Sequence, residues 1–250
     1  MQGRNNIIVN VFITGKAKID TATITKQITE NLEKKLIKKK KSQKNKTITS
    51  LNYLDRKEAR KLMHFMEREK QIALQKNNKT TIKHWFFINV GIFAGLRVNE
   101  ISKLSCSDYT IKDNTFILII REAKGGKPNF VICPDKFKKT WFWFLQWKKN
   151  IGEPTDENSP MFYSPRTKTY ITPRALQYAI KNNLRKCGLN TKYTPHSMRR
   201  TFGTYLNDIS NTRLAQSLLR HKLINTTQHY TAPIQTSVKK AVEKYSKLFE

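Results

Sequence analysis

The sequence predicts an α+β fold that is mainly helical and carries one small antiparallel sheet. Apolar residues recur at helical spacing through most of the chain beyond residue 51. Between residues 115 and 132 the period changes, and two β-rich runs flank Gly125 and Gly126, a pair that permits a tight turn. Residues 1–50 differ in composition from the rest. We therefore expect a basic N-terminal segment or linker over 1–50 and one folded domain over 51–250.

The first helices are indicated by residues at their ends. Asp55 and Glu58 have the spacing of a capping box, and apolar residues follow them at helical intervals. A second helix is predicted over about residues 80–94, and Gly95 is a natural stop for it. A short third helix is predicted to begin near Arg97.

The second half of the domain alternates between strand and helix signals. Strands are predicted over residues 115–120 and 129–132. A Trp- and Phe-rich helix follows, and its aromatic residues are more typical of a protein core than of a base-stacking platform. Pro173 suits a first helical turn and Gly188 a helix stop. The helices predicted in this half cover residues 137–147, 173–187, 197–208, 212–219 and 236–248, with a short one carrying Tyr230 before the last.

Composition indicates a nucleic-acid partner. The chain has 48 Lys and Arg against 18 Asp and Glu, a formal net charge of +30. A charge of this size repels itself unless the partner is a polyanion. A ribosomal-type basic protein is the alternative, but 38% hydrophobic and 10% aromatic residues are enough for a real core.

The densest lysine run of the chain lies in the N-terminal segment and is expected to contact DNA phosphates. At its centre are Lys38, Lys39, Lys40 and Lys41.

Other protein classes are not indicated. Cys106, Cys133 and Cys187 are odd in number and widely spaced, so we expect free thiols and neither a disulfide framework nor a zinc site. The sequence shows no signal-peptide pattern and no apolar run of the ~18 residues that a membrane helix needs. We expect a cytoplasmic, nucleoid-associated protein with no membrane partner, or one in an organelle such as a plastid.

Four short motifs, far apart in the chain, each contain a side chain that suits work on a phosphate. They are Gly95-Leu96-Arg97-Val98-Asn99-Glu100, Ala123-Lys124-Gly125-Gly126-Lys127, His196-Ser197-Met198-Arg199, and His221 followed nine residues later by Tyr230.

Individually these motifs are weak signals. The arginine fork binds phosphate bidentately and stays charged, but in so basic a chain Arg97 is as easily a surface residue. Arg97 also stands at a predicted helix start, where backbone N–H groups favour an anion. His196 and Arg199 are three apart on one helix face and can reach the same phosphate. Tyr230 taken alone is more often a packed side chain than a nucleophile.

Taken together, in this order, the motifs resemble the signature of tyrosine recombinases, the phage integrase family. The resemblance extends over about residues 54–248 and implies that residues 51–250 are a tyrosine recombinase catalytic domain. It implies a set of catalytic residues, a supporting Glu100 and further DNA-binding residues. The catalytic set is Arg97, Lys124, His196, Arg199, His221 and Tyr230, and the DNA-binding set adds Lys127, Arg200 and Arg220 to the lysine run.

Two positions depart from the family pattern. Arg200 stands where many members have His, and Arg220 stands where the family has Gly before the histidine that corresponds to His221. Within the family pattern Lys124 matches the catalytic lysine of the turn and Lys127 the second, non-catalytic one. His229 and Tyr205 are rival local candidates for the work on the phosphate, but neither has the spacing.

The resemblance also implies a reaction. A tyrosine attacks a DNA phosphate, a covalent 3′-phosphotyrosine forms, and a 5′-hydroxyl then rejoins the strand without ATP, metal or another cofactor. The implied partners are double-stranded DNA and a homotetramer on two duplexes, with the segment after Tyr230 docked on a neighbour. The usual N-terminal clamp domain is expected to be absent or shortened, or supplied by a partner. Alternatives are a type IB topoisomerase-like nicking and resealing enzyme and a non-catalytic DNA-binding relic.

Overall fold

The computed structural model describes residues 52–121, 128–210 and 232–249, all of which belong to the unit Leu51–Glu250. Its first helix, α1, covers Arg56–Gln75. The Asp55 side chain accepts a hydrogen bond from the Glu58 N–H at 2.8 Å, and Glu58 Oε2 accepts one from the Asp55 N–H at 3.0 Å. The predicted capping box is confirmed.

The second helix, α2 (Lys79–Phe93), is the centre of the domain. Every residue from Trp85 to Phe93 is buried, and Asn89 is the one polar side chain among them, as expected for a helix that is hydrophobic all round. The helix contacts α1 and several later helices. It ends as predicted before Gly95, which has φ +58°, and a short helix, α3 (Val98–Ser102), follows.

The sheet has three strands where two were predicted. Strands β1 (Tyr109–Lys112), β2 (Thr115–Ile120) and β3 (Asn129–Cys133) pair antiparallel in that order. The first strand was missed because it is short and three of its four residues are exposed, so it lacks an apolar alternation. The last pair between β2 and β3 joins Ile120 to Asn129, which holds together the two ends of the connection that contains Lys124.

The Trp- and Phe-rich helix, α4 (Asp135–Asn150), packs in the core, as predicted. Phe86 of α2 stacks on Phe144 with ring centroids 4.0 Å apart and planes 3° from parallel. A small hairpin comes next, in which β4 (Tyr163–Ser164) pairs with β5 (Thr169–Tyr170). Each strand has only two residues, and the sequence contains no clear signal for them. The aromatic contacts fix α2, whose C-terminal end leads into the Gly95 motif.

Two further helices complete the described centre of the chain. Helix α5 covers Pro173–Lys186, with Pro173 in its first turn as predicted and Gly188 just beyond its end. Helix α6 covers Pro195–Ile209 and begins two residues before the prediction. The predicted helix at 212–219 and the short one around Tyr230 lie outside the described residues.

The C-terminal segment packs on its own domain. Helix α7 (Ala232–Ser246) and a 3₁₀ turn (Lys247–Phe249) place buried side chains against the core. Tyr245 is fully buried, and its hydroxyl donates a hydrogen bond to the Ile92 carbonyl at 2.9 Å. Phe93 and Phe202 provide aromatic contacts for Tyr245. Docking of the segment after Tyr230 on a neighbour stays a prediction.

Among the described residues, no helix is both long enough and apolar enough to cross a membrane. The three cysteines are buried, and no disulfide joins any two of them.

Candidate active site

Arg97 and Glu100 form the first element of the site. Arg97 is the residue before α3, and Glu100 sits in the first turn of that helix. Glu100 Oε2 accepts the Arg97 backbone N–H and Oε1 accepts from Arg97 Nη1, both at 2.8 Å. The glutamate side chain is 3% exposed, whereas the arginine side chain is 34% exposed. A buried carboxylate thus orients a guanidinium that still reaches solvent.

The geometry around α3 bears on one expectation. The start of this helix was expected to favour an anion through free backbone N–H groups. The helix has only five residues, and Glu100 already accepts the Arg97 N–H. The side chain of Arg97 is partly exposed at this turn, whereas its backbone N–H is already bound.

Arg199 reaches the same turn from a distant part of the chain. It lies in the first half of α6 and is 4% exposed. Its Nη1 donates to the Gly95 carbonyl at 2.5 Å, across 104 positions of sequence. Because Gly95 is two residues before Arg97, this hydrogen bond brings both arginine-bearing segments to one turn.

Gly95 is required at that turn, a role that the sequence reasoning missed beyond its use as a helix stop. Its φ of +58° is one that residues with a Cβ rarely adopt. A Cβ added there would clash with Cδ1 of the Phe202 ring. The signal available in the sequence was the glycine at the start of the Gly-Leu-Arg motif.

The first turns of α6 determine the positions of His196, Arg199 and Arg200. Pro195 occupies the first helical turn, and Ser197 Oγ accepts the Thr194 N–H at 3.1 Å. Of the residues that follow, His196 and Arg200 are exposed, whereas Arg199 is buried. One stretch of helix therefore carries an imidazole and a guanidinium at the surface beside the arginine that is anchored to Gly95.

Two long-range hydrogen bonds fix α6 in place. The Leu54 backbone N–H donates to Thr201 Oγ1 at 2.9 Å, within the core. The Tyr193 hydroxyl donates to Glu58 Oε2 at 2.7 Å, just before the helix begins. Neither contact has a local signal in the sequence, since the partners of each are far apart in the chain.

Three tyrosines near α6 are structural. Burial raises the pKa of Tyr205, and burial together with the Glu58 hydrogen bond raises the pKa of Tyr193. Burial also holds the pKa of Tyr245 well above its ordinary value. A buried phenol with a raised pKa is a poor nucleophile, so Tyr205, a rival candidate, is unsuited to attack a phosphate.

Several candidate residues lie outside the described part of the chain, so their positions stay predictions. They are Lys38, Lys39, Lys40 and Lys41 of the lysine run, and Lys124, Lys127, Arg220, His221 and Tyr230.

The described candidates do come together. The structure gathers Arg97, Glu100 and Arg199 around Gly95. His196 and Arg200 lie on the same helix as Arg199.

The segments that form this turn lie in a part of the chain that matches a known protein family. The model of the phage integrase family matches residues 52–236, a range that includes Arg97, Arg199 and Tyr230. The chain belongs to this family. Its fold is that of a tyrosine recombinase catalytic domain, mainly helical with a small antiparallel sheet.

Curated relatives are longer than this chain. The chain is 30% identical over 153 residues to the tyrosine recombinase XerA of Pyrococcus furiosus, covering 60% of this chain and 50% of that protein. The chain therefore spans about half the length of this curated relative.

Two solved structures share the fold. One is the XerH site-specific recombinase bound to difH substrate in a pre-cleavage complex, with a TM-score of 0.58, 20% identity and coverage of 74% of this chain and 50% of that chain. The other is XerA recombinase, with a TM-score of 0.54, 23% identity and coverage of 78% and 64%.

Proposed function

We propose that the protein is a site-specific DNA recombinase that cuts and rejoins strands through a covalent 3′-phosphotyrosine. The observation that carries the proposal is the hydrogen bond from Arg199 to the Gly95 carbonyl, which brings a second arginine to the turn of Arg97. Two guanidinium groups from different segments suit the two non-bridging oxygens of one DNA phosphate. Family membership and the +30 charge support the same substrate.

Each proposed residue has one task. Arg97 and Arg199, with His196 and His221, hold the phosphate as negative charge builds on it. As the Tyr230 oxygen attacks phosphorus, its hydroxyl proton passes to a neighbouring base, and the bond from phosphorus to the 5′ oxygen breaks. Lys124 gives that oxygen its proton, so a free 5′-hydroxyl leaves. Attack of a 5′-hydroxyl on the phosphotyrosine reverses these steps, releases the tyrosine and needs no external energy.

Tyr230 is favoured as the nucleophile by its spacing from His221, and three tyrosines in or beside α6 and α7 are poorly suited to replace it. Tyr193, Tyr205 and Tyr245 are buried, with pKa values raised by burial.

Lys124 is favoured over Lys127 as the general acid by its position in the family motif. The ends of its connection are held adjacent by the Ile120–Asn129 pair.

The proposed partners are double-stranded DNA and three further copies of the chain, so that four protomers act on two duplexes. Arg200, Arg220 and Lys127 would contact DNA near the cut. The lysine run would contact phosphates farther away. Such contacts position a protein on DNA and carry little sequence information.

The test is a nicked suicide duplex that carries the DNA flanking the protein's own gene, with covalent adducts resolved under denaturing conditions. We expect an adduct with the natural chain and none with Tyr230→Phe, while DNA affinity stays nearly unchanged because one oxygen contributes little of it. Tyr205→Phe is the matched control, since it removes a hydroxyl from a buried ring and should still form the adduct.

The same assay separates the alternatives. Strand exchange between two labelled duplexes would support recombination, whereas resealing on one duplex without exchange would indicate a nicking and resealing enzyme. DNA binding without an adduct from the natural chain would contradict the proposal, as would an adduct that persists in Tyr230→Phe.

A further inference from the structure

We call the turn at Gly95, where Arg97 and Arg199 meet, the arginine turn. A basic groove between α1 and the end of α5 shares no residue with it. It encloses about 500 Å³. Among the described residues, its lining contains five cationic side chains, one histidine and no carboxylate. The lining residues are Lys57, Arg60, Lys61, His64, Phe65, Arg68, Lys186 and Cys187.

Four of the cations form a stripe along one face of α1. Lys57, Lys61 and Arg68 follow the helical spacing i, i+4 and i+11, with Arg60 beside them, and all four are exposed. Like charges one turn apart on a helix destabilise it. Such a stripe is therefore costly unless an anion occupies the groove.

Two of the three acids of α1 are bound elsewhere, and the third, Glu69, forms no ion pair with a described cation of the stripe. Glu58 accepts from Asp55 and Tyr193, and Glu67 is bound to Trp85 and Lys70. Within residues 52–121, 128–210 and 232–249, none of the five lining cations forms an ion pair with a carboxylate.

The other polar contacts of the groove leave its charge in place. Arg60 donates to the Leu248 carbonyl at 3.0 Å and Lys61 to the Gly188 carbonyl at 3.5 Å, and both acceptors are neutral. Burial raises the pKa of the Cys187 thiol, so the floor of the groove adds no negative charge.

Elsewhere in the described chain, buried lysines are paired with an acid. Lys83 and Lys148 are buried, and both contact the buried Glu153, at 2.6 Å and 3.2 Å. The groove differs from this cluster because its charges stay exposed and have no carboxylate beside them. Exposed cations that face a concave surface are available to an external anion.

The length of the stripe favours a polymer. From Lys57 to Arg68 the helix rises about 16 Å at 1.5 Å per residue, which matches the axial rise of about five nucleotides at 3.4 Å each. A single phosphate would fill only a small part of it.

The groove is also connected to the arginine turn. The Tyr193 hydroxyl binds Glu58, next to Lys57, and His196 follows three residues later on α6. Cys187 of the groove begins the loop that leads to Tyr193.

We propose that this groove binds the phosphate backbone of DNA outside the point of cleavage. The proposal rests on the proposed function in taking DNA as the polyanion. Lys57, Lys61 and Lys186 each contact a phosphate and increase affinity, while the chemistry at the arginine turn proceeds without them. A free polyphosphate offers the same chemistry and is the alternative occupant.

The test compares two triple variants of the full chain. The groove triple is Lys57→Gln, Lys61→Gln and Lys186→Gln. The control triple is Lys76→Gln, Lys112→Gln and Lys149→Gln, which changes three exposed lysines outside the groove. Each lowers the formal net charge from +30 to +27 (30 − 3), so the pair isolates position from total charge. Thermal unfolding of both verifies that each is folded.

Affinity for duplex DNA is measured over a range of salt concentrations. At about 0.9 per phosphate contact, we expect the groove triple to lower the slope of log K against log salt by about 2 to 3, and the control triple by less than about 1. The rate of adduct formation at saturating DNA should be the same in both triples. Equal changes of slope in the two triples would overturn the proposal.

A separate arm uses inorganic tripolyphosphate, with binding measured by calorimetry. If the natural chain binds it, the groove triple does not, and the DNA slopes of both triples agree, the occupant is a free polyphosphate and the DNA proposal is wrong. Failure of the natural chain to form an adduct would contradict the proposed function alone, because the salt slopes need no chemistry.

Discussion

The arginine turn and the basic groove both bear positive charge, but the protein holds that charge in opposite ways. At the turn, Arg199 is buried and bound to a backbone carbonyl, and Arg97 is bound to a buried glutamate. In the groove, Lys57, Lys61 and Lys186 extend into solvent. Fixed charges suit a transition state, which needs donors already in place. Exposed charges suit attraction and positioning of a long polyanion.

The two regions should therefore differ in which measured quantity they control. Changes at the turn should act on the rate of cleavage at saturating DNA. Changes in the groove should act on affinity and its salt dependence.

The largest effect is expected from the arginines. Arg97→Ala and Arg199→Ala should each slow single-turnover cleavage by about 10²–10³, the usual cost of losing one transition-state anion donor. Lys at either position should restore little, because the bidentate fork is absent. Quenched time courses on the suicide duplex measure the rate, and the groove triple is the control that should keep it.

Because Arg199 is buried, thermal unfolding must accompany its variants to show that they are folded. Arg97 is partly exposed and gives the cleaner test. A rate for Arg97→Ala close to that of the natural chain would show that the phosphate is held by other groups.

The next largest effect is expected on stability, from substitution of Gly95. Gly95→Ala should lower the free energy of unfolding by roughly 2–4 kcal/mol, because it combines a left-handed backbone with a clash against Phe202. Gly152→Ala is the matched control, since Gly152 has φ +72° and nothing within 4 Å of an added Cβ. Chemical denaturation measures both.

The difference between these two glycine variants isolates packing from backbone strain. Cleavage should also fall in Gly95→Ala, because the Gly95 carbonyl is what holds Arg199. Equal destabilisation by the two variants would mean that the approach of Phe202 to Gly95 is not a constraint.

Helices α1 and α2 could be predicted from the sequence because their ends carry local signals. Asp55 and Glu58 form their capping box, and Gly95 stops α2, through contacts only a few residues apart. Strand β1 was missed because its exposed residues have no apolar period. Local patterns decide local structure, and a strand at a sheet edge has few of them.

The site was predicted less completely, and for a different reason. Motif order named Arg97, His196 and Arg199, but burial of Arg199 and its bond to Gly95 depend on how α2 and α6 pack. The groove was not foreseen at all. In a chain with 48 Lys and Arg, no pattern in the sequence shows that Lys186 comes to lie beside the stripe on α1.

The smallest effect concerns His84, a partly buried residue of α2 that is near the groove residue Lys186. Burial, and then the charge of Lys186, lower the pKa of His84 from 6.5 to about 4. Asn183 Nδ2 lies 3.2 Å from His84 Nδ1, an arrangement that suits an unprotonated ring nitrogen as acceptor. The imidazole therefore senses the nearby groove cation.

The sign of the effect on stability follows from the lowered pKa. The unfolded chain takes up a proton on His84 below pH 6.5, whereas the folded chain does so only near pH 4, so stability is complete above 6.5 and falls between these values. The loss should be no more than about 2 kcal/mol, since the ring is partly exposed and solvent screens it. His84→Gln should remove this part of the pH dependence, as measured by denaturation at a series of pH values.

Lys186→Gln should raise the pKa of His84, as followed by NMR titration of its ring proton, because one of the two causes of the lowering is gone. Binding of duplex DNA should raise that pKa in the natural chain for the same reason, with phosphates near Lys186 cancelling its charge. The control triple should leave the titration unchanged, and DNA should have a smaller effect on the Lys186→Gln chain. If DNA leaves the His84 titration of the natural chain unchanged, its phosphates do not approach Lys186. The proposal that the groove binds DNA would then be wrong, and with it the contrast between the groove and the arginine turn.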